Sequence, residues 1–107
     1  MIQFSECPNG YTRGLIRSDR GLHDICYRVI ENKRREVHCR FGSKTRMNGK
    51  GMWIQVGDTT VGQLDLATRQ YLRKIMHEMP QAVHEEVFTL LDALLQGEDP
   101  AKGENDA

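Results

Sequence analysis

Lys33 to Val56, KRREVHCRFGSKTRMNGKGMWIQV, is the stretch on which the fold turns. Apolar and polar residues alternate along it at a period of two, the spacing that sends successive side chains to opposite faces of a strand. Asn48-Gly49 lies inside it, and both residues tolerate the positive φ that a two-residue hairpin turn demands. Pairing Met47 with Lys50 around that turn sets Phe41 opposite Val56, Ser43 opposite Ile54 and Thr45 opposite Met52.

Working back from this hairpin, His23 to Ile30 is rich in Ile, Tyr and Val and reads as a strand. A helix over the same residues lacks a cap and a three-to-four period. If Asn32-Lys33-Arg34 is a three-residue loop, Glu31 faces Arg35, Val29 faces Val37, Tyr27 faces Cys39 and Ile25 faces Phe41. One face then becomes wholly apolar, the condition that specifies a register in a half-buried sheet. A two-residue loop mixes Arg with Val on the same face instead.

Earlier still, Ile2 and Phe4 alternate with polar neighbours over Met1 to Glu6, and Cys7-Pro8-Asn9-Gly10 has the composition of a tight turn. Tyr11 to Arg17 is a second strand, interrupted by Gly14, and Ser18-Asp19-Arg20-Gly21 a second turn. Past Val56, Gly57-Asp58 turns the chain into a short edge strand over Thr59 to Gln63. Asp65 then caps a helix from Leu66 to about Glu78, with Ala67, Tyr71, Leu72, Ile75, Met76 and Met79 as its apolar stripe. Pro80 opens a second helix and Gly97 stops it. Val83, Val87, Phe88, Leu90, Leu91, Leu94 and Leu95 give that helix a wide apolar surface.

The expected fold is therefore α+β: an antiparallel β-meander of five or six strands followed by two C-terminal α-helices packed on one sheet face. Residues 1–96 form a single domain and 97–107, GEDPAKGENDA, a disordered polar tail. The surplus of leucine on the last helix points to a two-fold homodimer through Leu91 and Leu95.

At 107 residues, 38% apolar and 28% charged, the composition is that of an ordinary globular domain. No apolar run approaches the roughly 20 residues needed to span a bilayer, and the first residues lack the basic-then-apolar pattern of a secretory signal. Cys7, Cys26 and Cys39 have no framework spacing and read as reduced thiols in a cytoplasmic protein. The net charge of zero conceals an asymmetry. Tyr11 to Lys50 carries eleven Lys/Arg against four Asp/Glu, and Gly51 to Ala107 four against ten. Such a division is a hint of a polyanionic partner.

By the same parity, Cys26, Arg28, His38, Arg40, Lys44, Arg46, Trp53 and Gln55 point away from the helices, and Lys33, Arg34 and Arg35 extend the positive ground at the loop. Lys and Arg neutralise phosphates, and an indole offers a stacking surface to an unpaired base. The arrangement resembles small single-strand-binding proteins built from an antiparallel sheet followed by a helix. The candidate nucleic-acid-binding residues are thus Arg28, Lys33, Arg34, Arg35, His38, Arg40, Lys44, Arg46 and Trp53. Outward cations also keep a sheet soluble and discourage edge pairing, the plainer account of the same face.

Other chemistries have less support. His23, Cys26, His38 and Cys39 include zinc-ligand types, but parity divides them between the two faces, whereas a tetrahedral site needs all four converging. His77 and His84 are seven apart across Pro80 and read as solvated. No nucleophile elbow or phosphate loop is present, and Cys7 has no identifiable base. The sequence therefore predicts a non-enzymatic protein without cofactor or metal that binds single-stranded DNA or RNA. The alternative is a small protein-binding regulator or inhibitor, acting through its helical surface or docking on an acidic partner protein.

Overall fold

The computed structural model describes residues 2–31, 35–43, 54–56 and 62–105. Four strands run in sequence order as an antiparallel meander: β1 (Ile2–Glu6), β2 (Thr12–Ser18), β3 (Gly21–Glu31) and β4 (Arg35–Ser43). Among the described residues they are joined by the three-residue β5 (Ile54–Val56), on β4. Three helices follow, α1 (Leu66–Ile75), α2 (Gln81–Leu95) and α3 (Pro100–Asn105). The α+β class expected from the pattern is the class observed. The strand count is corrected from five or six to four full strands with that short addition. Of the edge strand expected over Thr59 to Gln63, Gly62 and Gln63 lie in a turn, Gly62 with φ +63°, and the rest falls outside the described residues.

Turn chemistry accounts for the pairing of the first strands. Gly21, at φ +115°, ends the two-residue turn Asp19-Arg20 and sets Ser18 opposite Gly21, from which the β2–β3 register follows down to Thr12 opposite Tyr27. Gly14 has a packing reason. A Cβ there would stand 2.9 Å from Cγ2 of Ile2 and 3.1 Å from Cγ2 of Ile25, so its bareness lets β1 and β3 close over β2. The β3–β4 register is the one the apolar parity requires: Ile25 opposite Phe41, Tyr27 opposite Cys39, Val29 opposite Val37, Glu31 opposite Arg35.

The β4–β5 register differs from the expected one. Val37, not Phe41, pairs with Val56, and Cys39, not Ser43, pairs with Ile54. The slip is of four residues, an even number, so Ile54 and Val56 keep register positions with the core residues of β4. The Asn48-Gly49 turn itself lies outside the described residues.

One face of the sheet carries Ile16, Ile25, Tyr27, Val37 and Cys39, all buried in one cluster with Leu72, Met76, Val83, Val87, Phe88, Leu91, Leu94 and Leu95. α2 packs on β3 and β4. Its leucines are interior: Leu91 is 0% and Leu95 1% exposed, so the surface assigned to a dimer seam is the core of the monomer. A face that looked too wide for one partner serves two, the sheet on one side and α1 on the other.

α1 begins as expected, with the Asp65 carboxylate accepting from Thr68 N at 2.7 Å. It ends at Ile75, short of Glu78. His84 explains the stop: its Nε2–H donates to the Met76 carbonyl at 2.6 Å, and Met79 N donates to the same oxygen at 2.9 Å. His84 is buried, which corrects the solvated reading; His77 is exposed. Asp92 of α2 holds the other end of α1, accepting from Leu64 N at 2.8 Å and Arg69 Nη2 at 2.9 Å. Between these contacts the Arg69 and Arg73 guanidiniums lie over the Phe88 ring, 5.7 and 4.9 Å from its centre.

Gly97 terminates α2 with φ +86°, Glu98 N donating to Ala93 O and Gly97 N to Leu94 O. Those two bonds are the Schellman pattern, in which a left-handed residue closes the last carbonyls. Of the polar tail expected from Gly97, Pro100–Asn105 forms α3. Asp99 turns the chain into α3, its Oδ1 accepting both Ala101 N at 3.0 Å and the Tyr27 hydroxyl at 2.8 Å. Small polar residues conceal that role in sequence, because its donor lies 72 positions away. No helix among the described residues is long and apolar enough to cross a membrane.

Candidate nucleic-acid interface

The face of the sheet opposite the helices is set by the pairing β3–β4. Arg28 stands opposite His38 and Cys26 opposite Arg40, so three of the nine predicted residues, Arg28, His38 and Arg40, meet on adjoining strands. Arg35 pairs with Glu31 at the end of the ladder. Lys33, Arg34, Lys44, Arg46 and Trp53 lie outside the described residues.

Two cations missed from the sequence join this face. Arg13 pairs with Cys26 and Arg17 with Leu22 across β2–β3, which brings both to the side of Arg28 and Arg40. The signal was present in the turn Ser18–Gly21, since extending its register along β2 places both arginines. Arg17 and Arg28 are exposed, and Arg13, His38 and Arg40 are half-buried. Tyr11 is there too, half-buried, with the Arg28 guanidinium 5.8 Å from its ring centre.

The middle of the face is closed rather than bare. Asp24 is 1% and Cys26 5% exposed, although both point away from the helices. Arg13 covers Asp24 with a fork, Nε to Oδ1 at 3.0 Å and Nη2 to Oδ2 at 2.8 Å. This bidentate bond raises the Arg13 pKa above its ordinary value, so the cation is fixed at every working pH. Asp24 is thus neutralised in place, and the rows around it present Arg17, Arg28, His38 and Arg40 with Glu36 as the acidic neighbour.

The cysteines contribute no nucleophile to this surface. Burial first, then the neighbouring Cys7 thiol that hydrogen-bonds it, pushes Cys26 up to about 11 against the pull of Arg40. Burial alone pushes Cys39 up to about 12, and burial then the bond to Asp99 raises Tyr27 further. Groups raised in the folded state stabilise it fully below their unfolded pKa, and that contribution is lost as pH rises through the folded value. Stability should therefore hold to about pH 9 and then decline toward pH 12, each thiol adding at most about 1.4 kcal/mol per pH unit to the slope. Urea midpoints taken from pH 7 to 10.5 measure this, and Cys39→Val should make the alkaline decline shallower than in the wild type.

Cys26 and His38 share this face while His23 and Cys39 lie on the helix side, where His23 Nε2 shares a 2.6 Å hydrogen bond with Ser18 Oγ. Among the described residues no three or more His, Cys, Asp or Glu converge as metal ligands.

Fold and face together define an α+β protein with an antiparallel sheet, helices on one side and a cation-bearing surface on the other. Compared with protein-family models, curated proteins and solved structures, the chain matches none.

Proposed function

We propose that the protein is a non-enzymatic binder of single-stranded DNA or RNA that engages phosphates on the outer face of its sheet. The observation that carries the reading is the gathering of Arg13, Arg17, Arg28, His38 and Arg40 on that face, its buried carboxylate Asp24 already matched by Arg13. Arg17 and Arg28 are the exposed members and make the first phosphate contacts. Lys33, Arg34, Arg35, Lys44 and Arg46 extend the site in this reading, and Trp53 supplies the stacking ring. The helix-surface regulator has less support, because the α2 leucines on which it drew are inside the core.

Anisotropy of a labelled 20-nucleotide oligo-dT, titrated at several salt concentrations, tests the reading. Affinity should fall steeply with salt, and Arg17→Ala and Arg28→Ala should each flatten the log–log slope by about 0.7, one single-strand phosphate contact. Trp53→Ala should cost roughly 1–3 kcal/mol on single strands and much less on duplex. No binding at low salt removes the proposal. Binding with an unchanged slope in both arginine variants moves the site off this face.

A further inference from the structure

β1 pairs with β2 along one side, and among the described residues no strand lies along the other. Sheet edges are usually protected by short length, charged side chains (lysine above all), prolines, bulges or a covering element. β1, IQFSE, has no lysine, proline or bulge, carries its one charge at its end on Glu6, and runs in unbroken register from Ile2 to Glu6. Beside that edge the structure has a groove of about 390 Å³ between β1 and α2. Ile2, Phe4, Leu90, Ala93 and Pro100 form its apolar floor, and Glu85, Glu86 and Thr89 its wall. Ile2 and Phe4 are only partly buried against the core, so a further strand would complete their burial.

The occupant's chemistry follows from these surroundings. An edge of backbone N–H and C=O groups selects an extended chain, and side chains at every second position of that chain drop toward α2. The groove takes apolar side chains in its middle. Acidic groups line it too: Glu85 and Glu86 on α2, with Glu6 and Asp99 in the adjoining recess that shares Phe4. Among the described residues that line the groove and the recess, Lys102 is the one cation, and Arg73 pairs with Glu85 at 2.8 Å, so carboxylates outnumber cations in the lining. The alternate side chains of the added strand face the cationic surface of the sheet, where neutral residues fit and further cations are repelled.

We propose that β1 and the groove beside it bind an extended peptide as an added strand, with apolar side chains flanked by lysine or arginine toward α2 and neutral polar side chains outward. This site is distinct from the nucleic-acid face and does not depend on it. A second copy of the chain fits less well, because pairing β1 with itself brings the same carboxylates together.

The probe is the capped nonapeptide Thr-Lys-Thr-Ile-Thr-Ile-Thr-Lys-Thr, which reads the same in either strand direction. Titrated into the isotopically labelled full chain, it should shift the amides of Ile2–Glu6 and of 85–93. Its affinity should drop at least tenfold when the threonine amides are N-methylated, when glutamate replaces its lysines, and in the variant Thr89→Lys. Thr89 is exposed on the groove wall, so circular dichroism and oligonucleotide affinity should be unchanged in that variant. Absence of binding, shifts confined to the outer face, or full affinity after N-methylation would overturn the proposal. So would a concentration-dependent dimer that Thr89→Lys dissolves, which would give the groove to a second copy.

Discussion

Leu91→Glu should leave the chain unfolded at 25 °C, with the far-ultraviolet signature of the sheet lost and no cooperative urea transition. Leu91 is 0% exposed, in the C-terminal half of α2 and in one core cluster with Tyr27, Val37, Leu72 and Phe88. A carboxylate there has to shed its water or drag the helix off the sheet, and burying an unpaired charge costs several kcal/mol. Added to the lost leucine, that approaches the whole stability of a domain this size, about 5–10 kcal/mol. Leu91→Ala separates the two terms, since it removes only the packing and should cost about 3–4 kcal/mol, leaving a folded protein with a lowered urea midpoint. The alternative use of the leucines, a dimer seam, expects Leu91→Glu to give a folded species of half the mass. Light scattering combined with circular dichroism distinguishes the outcomes.

Arg13→Ala should destabilise the protein by about 3 kcal/mol, and by more than Asp24→Ala does. The reasoning lies in the unequal burial of the pair, 35% exposure for the Arg13 side chain against 0% for Asp24. Removing the arginine leaves a carboxylate enclosed in the sheet without its two charge-assisted donors. Removing the carboxylate leaves a guanidinium already at the boundary that can turn to water. Replacing both at once, Arg13→Met with Asp24→Leu, eliminates the enclosed charge and should restore most of the loss, as apolar substitutes for buried pairs often do. Urea unfolding of the three variants reads the order directly. Equal losses for the two single alanine variants would mean that the fork is worth no more than a surface ion pair.

How far the sequence was readable follows from the range of each signal. The β3–β4 register was legible because a wrong loop length puts arginine and valine on one face, a contradiction visible in nine residues. The Asp65 cap and the Gly97 stop were legible for the same reason, as each acts within one helical turn. The β4–β5 register was not: an even slip preserves the parity, so alternation alone cannot distinguish Phe41 from Val37 as the partner of Val56. His84 and Asp99 were misread because their partners, Met76 and Tyr27, are brought to them by tertiary packing. On the candidate site, parity found the face and Arg28, His38 and Arg40 on it. It placed Cys26 in solvent because alternation reports the direction of a side chain, not what a neighbour such as Arg13 lays across it.

The order of elements along the chain has a consequence for synthesis. The described strands precede the helices that cover them, so a ribosome delivers the sheet with Ile16, Ile25, Tyr27, Val37 and Cys39 still bare. About fifty residues separate the end of β4 from the end of α2, and at about 5–20 residues per second the apolar face waits roughly 3–10 s for its lid. In that interval the nascent hairpins have only one another to adhere to, at a stage when neighbouring chains on a polysome are in the same condition. The finished molecule buries these five side chains, yet synthesis in this order exposes them every time.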